Sequence, residues 1–97
     1  MRNNISEING LDKLSNLQDL YLSSNKITEI KGLDNNVNLK ELYIGHNNIT
    51  ELKGMQNLTK LASLKLDGTP LAKTIAALIG KSDYTPQDLV KYCQKKY

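Results

Sequence analysis

Gly80-Lys81-Ser82 matches the tail of a G-x-x-x-x-G-K-[ST] loop, whose backbone amides cradle phosphates while its lysine reaches the terminal ones. The first glycine of such a loop belongs at position 75, where Ile75 stands, and the residues before Gly80 have helical rather than strand spacing. Nucleotide binding therefore fails, and Gly80 reads as a helix stop. His46 is the single imidazole, and no cysteine or second histidine lies near it in the pattern, so neither a metal cage nor a triad assembles around it. Cys93, the one cysteine, falls on an apolar helical stripe, a packing position more than a reactive one. Lys91, Lys95 and Lys96 occupy the end of the same predicted helix, where its dipole favours cations. Asn4, Asn48 and Asn57 each open an N-x-[ST] triplet, but an asparagine-rich repeat generates such triplets by accident. No nucleophile, base and oxyanion donors converge anywhere, so no reaction, cofactor or metal is expected.

The scaffold behind these residues is small. Ninety-seven residues suffice for one domain, and 39% hydrophobic with 24% charged residues places the chain among ordered, soluble proteins. No stretch is apolar enough to span a bilayer, and the opening MRNNISEING has no hydrophobic run of a secretory signal. One cysteine cannot form an internal disulfide, which predicts a reducing, cytoplasmic setting. With neither Phe nor Trp, the chain is poor in base-stacking side chains.

A 22-residue period organises the chain. It carries Asn3 to Asn25 to Asn47, Ile5 to Ile27 to Ile49, Gly10 to Gly32 to Gly54, and Leu20 to Leu42 to Leu64. The units read LQDLYLSSNKITEIKGLDNNVN from Leu17, LKELYIGHNNITELKGMQNLTK from Leu39 and LASLKLDGTPLAKT from Leu61. Leu20 and Leu22, like Leu42 and Ile44, are two apart and share a face of an extended segment, whereas Tyr21 and Tyr43 point to the other. Each unit thus supplies one short strand. At Asn25 and Asn47 the chain turns away, and a buried amide side chain can satisfy the backbone groups left unpaired there. Ile27, Ile30 and Leu33 return along the opposite wall before the next strand pairs in parallel. The expected product is a right-handed solenoid.

These units resemble the leucine-rich repeat family, whose pattern L-x-x-L-x-L-x-x-N-x-L two of them meet in full and the third meets except at Thr69. The 22-residue length, with I-x-x-I or I-x-x-L after the asparagine, is similar to the repeats of phosphatase-1 regulatory subunits, splicing-factor leucine-rich proteins and internalins. The fold this implies is an α/β leucine-rich-repeat solenoid, with a short parallel β-sheet on its concave face, an irregular or 3₁₀ convex side and a helical C-terminal cap. One domain, 1–97, divides into a partial first repeat (1–16), full repeats (17–38 and 39–60), a last repeat (61–75) and the cap (71–97).

The two ends differ. LDGTPL resembles the closing coil of many intracellular leucine-rich proteins, and Leu71, Ile75, Leu78 and Ile79 predict a short helix before Gly80. Thr85 as N-cap, Pro86 behind it, Asp88 three residues on and a Tyr84–Leu89 staple predict a second helix over 86–96, burying Leu89, Val90, Cys93 and Tyr97. The first unit holds only its return half, from Asn3 to Leu14, which leaves the strand around Leu20 as an unpaired edge. Two explanations are expected: a fragment of a longer protein, or self-association through that edge.

The resemblance assigns the variable strand positions to a concave surface, here Asp19, Tyr21 and Ser23, then Glu41, Tyr43 and His46, then Ser63, Lys65 and Asp67. Tyr21 beside Tyr43 forms a rigid amphipathic platform of the kind that anchors interfaces, and Asp19, Glu41 and Asp67 tilt its surroundings negative. The expected function is non-enzymatic binding of a partner protein on this face. The alternative is an assembly module acting through the open N-terminal edge, with possible homo-oligomers. Phosphatase- or GTPase-associated partners follow from analogy alone. Neither nucleic acid, which the acidic face repels, nor membrane is expected.

Overall fold

Each L-x-x-L-x-L block folds as one three-residue strand: β1 (Asp19–Tyr21), β2 (Glu41–Tyr43) and β3 (Ser63–Lys65). The computed structural model describes residues 4–96, so Asn3 of the expected asparagine row and Tyr97 of the helical stripe lie outside it. The strands form one parallel sheet in the order β1-β2-β3. Its register follows the repeat, with Leu20 opposite Leu42 and Leu42 opposite Leu64.

The asparagines join successive coils. Asn47 accepts the Ile27 amide on Oδ1 at 3.0 Å and donates from Nδ2 to the carbonyls of Leu22, Ile44 and Gly45. Asn25 accepts the Ile5 amide at 3.1 Å and donates to the Leu22 and Ser23 carbonyls. In the third unit Thr69 stands in for asparagine, its hydroxyl donating to the Leu66 carbonyl at 2.7 Å and accepting the Ala72 amide. The return segments then run through irregular turns in which an amide reaches back three residues, as Leu39 does to Asn36 and Leu61 to Leu58.

The core is a wall of aliphatic side chains from successive coils, among them Ile27, Leu42, Ile49 and Leu58, all fully buried. Besides Asn25, Asn47 and Thr69, a further polar residue is buried among the described residues. Asn36 is 0% exposed at a position where the neighbouring units carry Leu14 and Leu58. Its Nδ2 donates to the Leu11 and Leu14 carbonyls, while its Oδ1 has no partner among the described residues. On the outer rim Lys31 reaches back to Glu7 at 3.5 Å and Lys53 to Glu29 at 3.0 Å, exposed pairs of small individual worth.

Beyond β3 the helical segment differs from the sequence expectation. It breaks at Thr74 into a 3₁₀ turn, Leu71–Lys73, and a short α1 (Ile75–Ile79). Thr74 adopts φ −115°, and both its amide and its hydroxyl donate to the Leu71 carbonyl, which ends the first turn. Leu78 is consequently exposed, while Ile75 is buried and Ile79 packs at the edge of the core. Gly80 closes α1 in a left-handed conformation, φ 84°, with its amide on the Ala76 carbonyl.

The second helix, α2 (Pro86–Lys96), buries Leu89, Val90 and Cys93 in the same core as the coils. Its start is a reciprocal box: the Thr85 amide donates to Asp88 Oδ2 at 2.8 Å, and the Asp88 amide approaches Thr85 Oγ1 at 3.3 Å. Gln87 ties the helix to the last coil by donating to the Leu58 and Leu61 carbonyls. Burial pushes the Cys93 thiol up, so it is held in its unreactive, protonated form.

Candidate protein-binding face

The strand alternation that turns Leu20, Leu42 and Leu64 toward the core turns Asp19 and Tyr21, Glu41 and Tyr43, and Ser63 and Lys65 to the opposite, open face. Register places Tyr21, Tyr43 and Lys65 in one row across the strands. The rings of Tyr21 and Tyr43 stack with centroids 4.7 Å apart and planes inclined by 23°. At the far end of the row Lys65 Nζ lies 4.7 Å from the Tyr43 centroid, within cation–π range.

The phenol ends are held by their neighbours. Tyr21 donates its hydroxyl proton to Glu41 Oε1 at 2.6 Å, the short distance expected of a charge-assisted bond. That bond, with the negative charges of Glu41 and Asp19, pushes the Tyr21 pKa up from 10.0 to about 12. Ser63 Oγ lies 3.4 Å from the Tyr43 hydroxyl, a long contact at the limit of hydrogen bonding. Tyr21 nevertheless remains 59% exposed. Gly45, on the same face, is kept free of a side chain by close approach: a Cβ there would lie 2.8 Å from the Asp67 carbonyl oxygen.

Among the residues expected to form the site, Tyr21, Glu41, Tyr43, Ser63 and Lys65 make one connected group. Asp19, Ser23 and Asp67 are exposed beside it. His46 stands apart, at the end of its strand, with its ring against Gly68. There it lines a polar groove of about 410 Å³ with Ser24, Lys26, Asn48 and Gly68. Sequence reasoning did not anticipate that groove. The period aligns Ser24, His46 and Gly68, and of the three only the glycine hints in sequence at the positive φ that all take, at 62°, 54° and 76°. A second, smaller cavity of about 130 Å³ opens between Leu64, Leu66, Tyr84 and Leu89. No cluster of metal-ligating side chains occurs among the described residues.

A row of parallel strands, one per coil, joined by side-chain amides and repeating in register every 22 residues, defines a solenoid-like repeat protein. Residues 16–36 match the family model described as Leucine Rich Repeat, and residues 37–80 match the model described as Leucine Rich repeats (2 copies). The chain belongs to the leucine-rich repeat family. Repeats of this family generally mediate protein–protein interaction and are typically not enzymes. No curated protein matches the chain. No helix among the described residues is long and apolar enough to cross a membrane.

Proposed function

We infer that this protein is a non-enzymatic interaction module that binds a partner protein on the strand face, with Asp19, Tyr21, Ser23, Glu41, Tyr43, His46, Ser63, Lys65 and Asp67 as its contact residues. The sheet is then the concave surface of a right-handed solenoid, and α2 its C-terminal cap. The observation that carries this reading is the row in which half-buried Tyr43 is stacked between exposed Tyr21 and exposed Lys65. Stacked rings fixed by a charge-assisted bond lose little entropy on binding, and tyrosine is enriched among residues that dominate interface energy.

Affinity capture from source-cell lysate tests this reading, comparing the parent chain with the Tyr21→Ala, Tyr43→Ala double variant by quantitative mass spectrometry. Specific proteins lost with the double variant, while its circular dichroism is unchanged, support the strand face. Identical capture by the two chains overturns it.

A second reading, assembly through the N-terminal edge, is favoured by the burial gradient along the repeat. Leu20 and Leu22 are only half-buried, whereas their equivalents Leu42 and Ile44 are 0% exposed, and Ile5 and Leu14 stand open at 42% and 47%. The single-domain reading, the repeat boundaries and a cytoplasmic location, suggested by the lone buried thiol, accompany both readings as proposals. Likeness to phosphatase-1 regulatory repeats makes phosphatase- or GTPase-associated proteins the first partners to test.

A further inference from the structure

The row Tyr21–Tyr43–Lys65 ends differently on its two sides. Tyr43 is covered on one face by Tyr21 and on the other by a lysine. Among the described residues Tyr21 is covered on one face only, because β1 is the edge of the sheet they form. A further strand would lie about 4.8 Å beyond β1, so its in-register side chain would meet the free face of Tyr21 much as Lys65 meets Tyr43. We propose that β1 accepts an extended segment of a partner protein as an added strand, with an arginine of that segment stacked on the free face of Tyr21. The proposal rests on the reading that this face binds protein, and it specifies the partner's chemistry.

Several observations fix that chemistry. The backbone of β1 is prepared for pairing: the Leu22 and Ser24 amides donate inward to Tyr43 and Gly45, so the alternate amides of Tyr21 and Ser23 point outward. The charge next to the ring is negative. Asp19 is exposed on the same strand, two residues before Tyr21, and Glu41 holds the phenol. The bond to Glu41, desolvation and the negative charges of Glu41 and Asp19 all favour the protonated Tyr21 hydroxyl, and the two carboxylates leave the potential beside the ring negative. A planar guanidinium satisfies the ring and a carboxylate together, which an ammonium does less well.

The residues flanking the arginine would turn the other way, toward the core side. There Leu20 and Leu22 remain half-buried and Leu17 is open at its edge, so they should be apolar. Symmetric pairing with the β1 of a second copy does not fit the role, because its Asp-Leu-Tyr would bring another Asp19 and no cation to the site.

The test uses two blocked peptides, acetyl-Thr-Leu-Arg-Leu-Thr-amide and its analogue with citrulline, the neutral isostere, in place of arginine. Binding to the full chain is followed by amide NMR. The expected result is perturbation of the Tyr21 and Ser23 amides, with the arginine peptide binding roughly five-fold more tightly. In the Asp19→Asn, Glu41→Gln variant that preference should fall to about two-fold, the part the ring alone supplies. Tyr21→Leu, which removes the aromatic face but keeps an apolar side chain on the strand, should likewise lower the preference for arginine.

Equal binding of both peptides, perturbation confined to another region, or no binding at millimolar peptide overturns the proposal. So does a dimer in sedimentation whose β1 amides are protected, since a second copy would then occupy the edge. None of these results would touch a tyrosine-dependent capture from lysate, so the broader reading of the face is judged separately.

Discussion

Asn47 illustrates how much one side chain does here. Replacing it with alanine strands the Ile27 amide and removes donors from carbonyls of two coils, and the expected cost is about 3 kcal/mol in urea titration. Asn25→Ala, at the more open end, should cost less. Asn36 behaves oppositely. The carbonyls it serves already accept the Leu14 and Leu17 amides, and its buried oxygen is unpaired. Asn36→Leu restores the Leu14–Leu58 row and should raise stability by about 1 kcal/mol, seen as a higher Tm. At Tyr21 the folded pKa lies above the unfolded one. The bond to Glu41 therefore contributes fully below pH 10 and is lost as pH climbs toward about 12. Glu41→Gln should bring tyrosinate formation at this residue back toward 10, readable by ultraviolet difference spectroscopy.

The strands and α2 were legible as elements because each rests on a local pattern: leucines two apart for β1 to β3, and the threonine, proline and aspartate at 85, 86 and 88 for the helix. The break at Thr74 was not, since Leu71, Ile75 and Ile79 keep helical spacing across it and only the Thr74 backbone angle shows the interruption. Nor was the apartness of His46. It depends on a left-handed backbone at a residue that is not glycine, set by the pairing of its amide with the Asp67 carbonyl on the next strand. The stacking of Tyr21 on Tyr43 followed from period alone, whereas Asn36 was invisible to it because it breaks the period.

At the start of α2, Thr85→Ala should cost about 1 kcal/mol in thermal denaturation by removing the cap. The Thr85 amide and Lys81 hold the Asp88 carboxyl below the usual range. Its contribution is present above the ordinary carboxylate pKa and fades only as pH falls through that lowered value. Helical circular dichroism followed down an acid titration, with Asp88→Asn as the control, reads the loss.

Seen whole, the molecule is a stack in which each coil depends on its neighbours, and its two ends are not equivalent. Coils of this kind gain stability chiefly from nearest-neighbour interfaces. The coil of Ile5 and Leu14 has a neighbour on one side among the described residues, whereas the last coil is covered by α2. Hydrogen exchange should therefore open the molecule from the low-numbered end, with amides near Ile5 and Leu14 exchanging well before those of Ile44 and Ile49. Leu42→Ala, at a fully buried site, should cost 2 to 5 kcal/mol, roughly twice the cost of Leu20→Ala in the same titration. The tyrosine stack also has an optical consequence. The chain has no tryptophan, and two of its five tyrosines stand face to face at 4.7 Å, close enough for their transition dipoles to couple. The twist between the rings makes that coupled pair chiral. The near-ultraviolet dichroism of the unlabelled protein is thus a built-in gauge of ring geometry, which shifts when anything pries the rings apart or slides against them.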